Sequence, residues 1–433
     1  MWWTLLACAT ERVGETAAPE PVEVVYGSGR NVLLITLDTL RLDRLARYGG
    51  ADNMPRLEAM LGDALVLDHH RSCSNWTFSS MVCLLTGQTV LDLGWGPRTE
   101  AKVDIAPLPE DAEILSEILA GAGYQTGLVT SNPFLDPRYA FAQGYDVLRI
   151  KTSQPADVVA ASALVLVDLF EAEDAPWFVH AHFMDPHSPY DPPEAYLEGL
   201  DELDELDWEL STSEGLESLA AAWADISADE RAAALARIER RYAGELRYLD
   251  DQLAALLDQL DAQRALDDTV VVLATDHGEQ LFDRKELGHG YDLQPEEARA
   301  LVAFWAPDLE GRAWEEPTTH VDVLPTLLEL LGVEHEPALS GLPVGDAPAD
   351  RALFTWRLSE HDTLQDVVVG DLRLEFRWDG RRRLYDRASD PTEEDNLYTP
   401  DDERVVAMWE PLSVAVSQLD AIYEGVEPAE TGP

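Results

Sequence analysis

Apolar runs that break abruptly at charged residues organise most of this chain. Asn31 to Leu37 (NVLLITL) is aliphatic and β-branched and stops at Asp38, which predicts a buried parallel strand delivering a carboxylate at its C-terminal end. Gln125 to Thr130, Trp177 to Phe183, Thr269 to Ala274 and Leu301 to Trp305 repeat the pattern, and Leu65 to Asp68 is a shorter version. Helical spacing or length falls between them at Pro55 to Ala64, Asp111 to Gly123, Ala156 to Phe170, Arg231 to Gln263 and Asp322 to Leu331. Strands alternating with helices predict an α/β fold, a large, mostly parallel sheet sandwiched by helices.

After Pro343 the period shortens to two. Ala352 to Trp356, Gln365 to Val369, Leu372 to Trp378 and Arg383 to Tyr385 alternate apolar and polar residues, with Gly370-Asp371 and Asp379-Gly380 as turns. This predicts a smaller C-terminal antiparallel-sheet subdomain, closed by a helix over Asp402 to Ile422. The expected organisation is a leader or tether over 1–28, a main α/β domain over 29–343, a sheet-plus-helix subdomain over 344–425 and a tail over 426–433. An acidic, helical insertion occupies about 194–263 of the main domain, and its first part, Glu194 to Ser213, reads as a solvated helix.

Composition narrows the partners. The 83 acidic residues against 31 basic ones give a net charge of −52, which disfavours nucleic acid and anionic membrane as partners. The three cysteines, Cys8, Cys73 and Cys83, form no CxxC pair, which argues against a structural zinc site. Cys73 and Cys83 read as two small, partly buried thiols; their spacing allows a bridge without showing one. At the N-terminus, Leu5-Leu6-Ala7-Cys8 looks like a bacterial lipobox, so Cys8 is either a lipid-anchor site or part of a frayed tail. The first implies an extracytoplasmic protein. No segment offers the ~20 uninterrupted apolar residues of a membrane-spanning helix.

The stretch RSCSNWTFSSMVCLLTG, residues 71–87, carries the first candidate chemistry. A polar turn runs into an apolar helical pattern, with Thr77 at the expected N-cap and Ser80 three residues on. A hydroxyl there lies beside unpaired N–H groups and a positive dipole end, a good place to hold an anion. Three strand ends elsewhere supply Asp38, then Asp185 with His187, then Asp276 with His277, and His289 follows in GHG. A lone Asp at a strand end is most often a cap or turn former. Carboxylates and imidazoles converging on the ligand-binding edge of one sheet instead suggest a site for one or two divalent metal ions, with Ca, Mn and Zn all open.

With those residues in place, the chain resembles the sulfatase family of the alkaline phosphatase superfamily. The matching blocks are NVLLITLDTLRLDRLARYGG, SNWTFSSMVCLLTG, HFMDPHSPYDPP, ARIERRYAGELRYLDDQL, TVVVLATDHGEQLF with GHG, HVDVLPTLLELLG and LYDRASDPTEEDNL, in family order. The resemblance implies metal ligation by Asp38, Thr77, Asp276 and His277. It implies catalytic roles for Thr77, His187 and His289, the two imidazoles lying around the transferred group. Asp185 and Arg41 are assigned to substrate binding, a structural role being the competing reading for Arg41.

The chain departs from the family at the nucleophile. Counting back from Leu85-Thr86-Gly87 puts Thr77 where the family has its formylglycine-forming Cys or Ser. Ser79 replaces the usual proline and Met81 the usual arginine. The expected activity is therefore metal-dependent hydrolysis of phosphate or sulfate esters through a covalent Thr intermediate, without formylglycine. The expected substrates are small-molecule, glycan or lipid-head-group esters. A transferase of phosphoglycerol or phosphoethanolamine type and an inactive binding lipoprotein of the same fold are the alternatives; the sequence leaves the oligomeric state open.

Overall fold

The structure is a computed structural model describing residues 29–95, 106–200, 203, 206–335, 339–348, 350–358, 363–377 and 379–422. The Cys8 tether and the tail over 426–433 lie outside the described residues. Eight strands form the central sheet: β1 (Asn31–Leu37), β2 (Leu65–Leu67), β3 (Gln125–Thr130), β4 (Val147–Ile150), β5 (Trp177–Phe183), β6 (Thr269–Thr275), β7 (Val302–Trp305) and β8 (Arg312–Trp314). Their spatial order is β8-β2-β7-β6-β1-β5-β3-β4. All run one way except β7, which is antiparallel to both its neighbours. The continuous apolar runs are explained by their position: every residue of β5 and β6 is buried, and β1 is buried after Asn31.

Helices cover both faces. α1 (Pro55–Gly62), α4 (Ala156–Phe170), α5 (Ser213–Ala222) and the 35-residue α6 (Ala228–Ala262) pack one side through Leu57, Leu166, Leu219, Leu249 and Leu256. α2 (Thr77–Thr86), α3 (Leu115–Gly121) and α7 (Val323–Leu331) pack the other through Val82, Leu119 and Leu327. A four-stranded antiparallel sheet, Leu353–Arg357, Leu364–Val369, Leu372–Arg377 and Arg382–Asp386, follows, backed by α8 (Glu403–Ile422).

Three expectations need correction. Cys73 and Cys83 are not free thiols but a disulfide closing a separation of ten residues. Among the described residues of the acidic stretch, Glu194 to Tyr196 makes one 3-10 turn and regular helix begins only at Ser213. Thr77 is not an N-cap: Trp76 takes that position in extended conformation, with no side-chain cap bond, and Thr77 is the first helical residue. The Thr77 hydroxyl is thus not engaged in capping the helix.

Candidate active site

The adjacent central strands β6, β1 and β5 end together and position the site. The Asp38 N–H donates to the Phe183 carbonyl (3.0 Å) and the Asp276 N–H to the Leu37 carbonyl (3.1 Å), so pairing continues one residue past each strand. Asp38, Asp276 and His277 are fully buried, and one ligand atom from each lies within 4.8 Å of the others.

The hydrogen bonds single out which oxygens face the cluster. Asp38 Oδ2 accepts from Asn132 Nδ2 at 2.7 Å, while Oδ1 has no hydrogen-bond partner. Asp276 Oδ1 accepts from the N–H groups of Thr39 (3.1 Å) and His277 (2.7 Å), while Oδ2 is left without one. Thr39 reaches Asp276 by adopting φ 55°, a left-handed conformation rare for a β-branched residue. Two orphaned, buried carboxylate oxygens beside an imidazole are a donor set that fits a divalent cation.

The electrostatics agree. Burial raises a carboxyl, but at Asp38 the His187 charge and the His182 hydrogen bond outweigh it and hold the group well below the usual range. Burial, then the negative charge of Asp38, pushes Asp276 up to about 8. Burial also pulls His277 down to about 4. Two bare anions are disfavoured here, a conflict that a bound cation resolves.

Thr77 Oγ1 lies 3.3 Å from His277 Nε2. His277 Nδ1 donates to the Gly278 carbonyl at 2.8 Å, which leaves Nε2 with a lone pair aimed at the cluster. The first turn of α2 is tied to the same strand end by Ser80 Oγ, which donates to the Asp276 carbonyl (2.5 Å), and His320 Nε2, from the turn before α7, donates to that carbonyl as well (2.8 Å).

His187 and His289 meet on the open side, their Nε2 atoms 3.2 Å apart. His187 Nδ1 bonds the Ser188 carbonyl (2.5 Å) and His289 Nδ1 the Asn75 carbonyl (3.2 Å), so each Nδ1 carries a hydrogen. The Nε2 to Nε2 contact is then a hydrogen bond only when one further proton sits between the rings. The His289 and His277 rings are 4.4 Å apart, which joins this pair to the cluster.

Two expected substrate contacts face elsewhere. Arg41 is 2% exposed, its guanidinium bound by Asp43, Asp283 and the Glu279 carbonyl, so it braces the strand-end loop instead of presenting a charge. Asp185 pairs with Glu245 of α6. The structure thus brings together Asp38, Thr77, His187, Asp276, His277 and His289, and leaves Arg41 and Asp185 in supporting positions.

The sequence reading missed Asn132, His182 and Glu297. Buried Glu297 accepts from Asn75 Nδ2 (2.8 Å) and from the N–H groups of Gly290 (2.8 Å), Tyr291 (3.1 Å) and Asp292 (3.2 Å). It clamps the His289 loop to the Thr77 loop, although burial pushes its carboxyl up to about 8. Only Asn132, just past the end of β3, carried a strand-end signal that could have found it.

The chain belongs to the sulfatase family: the family model for sulfatases matches residues 30–333. It is 28% identical over 281 residues to an arylsulfatase of Clostridium perfringens (strain 13 / Type A), covering 58% of this chain and 55% of that one. It is 31% identical over 122 residues to the multifunctional alkaline phosphatase superfamily protein PehA of Trinickia caryophylli, covering 28% and 24%. The chain spans about half or less of the length of the curated relatives it matches. The crystal structure of the phosphonate monoester hydrolase of Agrobacterium radiobacter superposes with a TM-score of 0.70 at 20% identity, covering 93% of this chain and 99% of that one. The superposition shows a shared fold, which in this chain is a large mostly parallel sheet with a separate small antiparallel sheet.

Proposed function

We propose that this protein hydrolyses phosphate esters through a covalent intermediate on Thr77. The observation that carries the reading is the Thr77 hydroxyl 3.3 Å from His277 Nε2, in the cluster where Asp38 and Asp276 each leave one buried oxygen unpartnered. A divalent ion held by Asp38, Asp276 and His277 would lower the pKa of the Thr77 hydroxyl and draw charge from the ester under attack.

Thr77, having given its proton to solvent, attacks the phosphorus through Oγ1 and the bond to the leaving oxygen breaks. That oxygen takes the proton held between His187 and His289. Water then attacks the Thr77 ester, returning one proton to the imidazole pair and leaving its oxygen on the released phosphate. Thr77 departs as the alcohol by taking a proton from solvent. The reading uses no formylglycine, on the ground that Thr77 stands at the position counted back from Leu85-Thr86-Gly87, and the Cys73–Cys83 disulfide is in keeping with it. Phosphoryl transfer is favoured over sulfuryl transfer because a Thr ester has no hydrate that can collapse to expel the group. The likeness to an arylsulfatase and to a multifunctional superfamily member supports an ester-cleaving role. The disulfide supports an extracytoplasmic placement.

The test sets metal-loaded protein against matched aryl phosphate, aryl phosphodiester and aryl sulfate, beside Thr77→Ala. The expected result is fastest turnover of a phosphate ester, a loss of about a thousandfold or more in the variant, and phosphate recovered on Thr77 after acid quench. Equal turnover by Thr77→Ala removes the nucleophile assignment, and faster sulfate cleavage removes the substrate class.

A further inference from the structure

Behind Asp38 runs an unbroken line of hydrogen bonds that the chemistry above does not use. Tyr145 Oη lies 3.1 Å from His180 Nδ1, and His180 Nε2 lies 2.9 Å from Thr36 Oγ1. Thr36 Oγ1 is 2.7 Å from His182 Nδ1, and His182 Nε2 is 3.4 Å from Asp38 Oδ2. The register explains the convergence. Thr36 of β1 pairs with His182 of β5 and Leu34 with His180, so alternation puts both imidazoles on the face that Thr36 presents. Thr36, His180 and His182 are buried, in strands that are otherwise almost wholly apolar.

The bland account is a pair of satisfied core histidines. Both nitrogens of both rings are indeed bonded, as burial requires. Direction adds something that packing does not need. A carboxylate that holds a cation can only accept, so His182 Nε2 carries the hydrogen and donates to Asp38. His182 Nδ1 then accepts, and Thr36 must be its donor. With its one proton committed, Thr36 Oγ1 accepts from His180 Nε2, and His180 Nδ1 accepts from the Tyr145 hydroxyl. Neutral rings allow this single polarity, with every donor pointing toward Asp38.

We infer that His182, oriented by Thr36, His180 and Tyr145, is a positioning residue for the metal site. Together with Asn132 it holds Asp38 Oδ2 away from the cluster and so presents Oδ1 as the ligand oxygen. The inference rests on the metal-binding part of the function proposed above. Outer partners of this kind are worth 10–100-fold in metal affinity.

The test is calorimetric titration of Mn2+ into the metal-stripped full chain, with Ca2+ and Zn2+ in parallel. It compares wild type, Thr36→Val, His182→Leu and His182→Gln, with folding checked by circular dichroism. Thr36→Val keeps the side-chain shape and removes the hydroxyl that links His180 to His182. One ion is expected in each protein, bound about 10–100-fold more weakly in Thr36→Val and His182→Leu. His182→Gln, which retains a donor toward Asp38, should recover much of the loss. Folded variants that all bind with wild-type affinity overturn the positioning role and leave the metal site standing. A wild-type chain that binds none of the three ions overturns both.

Discussion

Asp185 and Glu245 show what a buried pair of like groups does to a single proton. Glu245 is 5% exposed on α6 and its protonated carboxyl donates to Asp185, just past the end of β5. Burial, with the neighbouring carboxylate adding for Glu245, pushes Asp185 up to about 6 and Glu245 up to about 9. In the unfolded chain both ionise near pH 4. The folded protein therefore binds more protons between about pH 4 and 9, and stability falls as pH rises through that window. Glu245→Gln keeps a donor to Asp185 and removes the titration. Its melting temperature should match wild type near pH 5 and exceed it at pH 8, an advantage on the order of 2 kcal/mol; parallel melting curves at every pH would refute the shared proton. At this scale the sequence was legible where a carboxylate ends an apolar run, as at Asp38 and Asp276. It was silent on Asp185 facing α6 and on Glu297 clamping a loop, because both depend on which elements fold together.

The element on which the site depends most is α2 with the turn before it. The helix is buried along its whole length, so its start is set by packing, and the expected cap at Thr77 gave way to an extended Trp76. Trp76 lies against Phe134, and Phe78 stacks on Trp95 at 4.8 Å, which anchors both sides of Thr77. The disulfide ties the loop residue Cys73 to Cys83 inside the helix. A cross-link over a separation of ten residues restricts the unfolded chain by about 2–3 kcal/mol. The Cys73→Ser/Cys83→Ser double variant should lose that much in urea denaturation, and turnover should fall with the order of the Thr77 turn. An unchanged unfolding midpoint would show that packing alone holds the turn. The helices and the C-terminal strands were readable from period because a core-facing stripe repeats along each, and the central strands from their continuous apolar runs. The short strands β4 and β8 were missed: they lie at the two edges of the sheet, are only partly buried and each carries an arginine, so neither forms an apolar run. The antiparallel setting of β7 is a topological fact that no local period encodes.

At the scale of the whole molecule, a few arginines are held in a buried ionic network while the acidic excess remains. Arg373 is fully buried against Asp366, Glu375 and Glu393, and Arg71, from the segment before α2, joins the same group. With a net charge of −52, the remaining carboxylates repel one another over distances that salt can screen. The screening length shortens from about 10 Å at 0.1 M salt to about 3 Å at 1 M. Buried pairs such as Arg373 with Asp366 are little affected, whereas exposed repulsion is largely removed. Raising NaCl from 0.1 to 1 M should therefore raise the melting temperature, by something on the order of 5 °C. KCl should act alike, and an uncharged osmolyte at equal osmolality should do less. The same field opposes the approach of an anionic ester, so kcat/KM should climb with salt while kcat changes little. A melting temperature that falls with salt would mean that surface ion pairs outweigh the repulsion, and that the acidic excess is not what limits the stability of this chain.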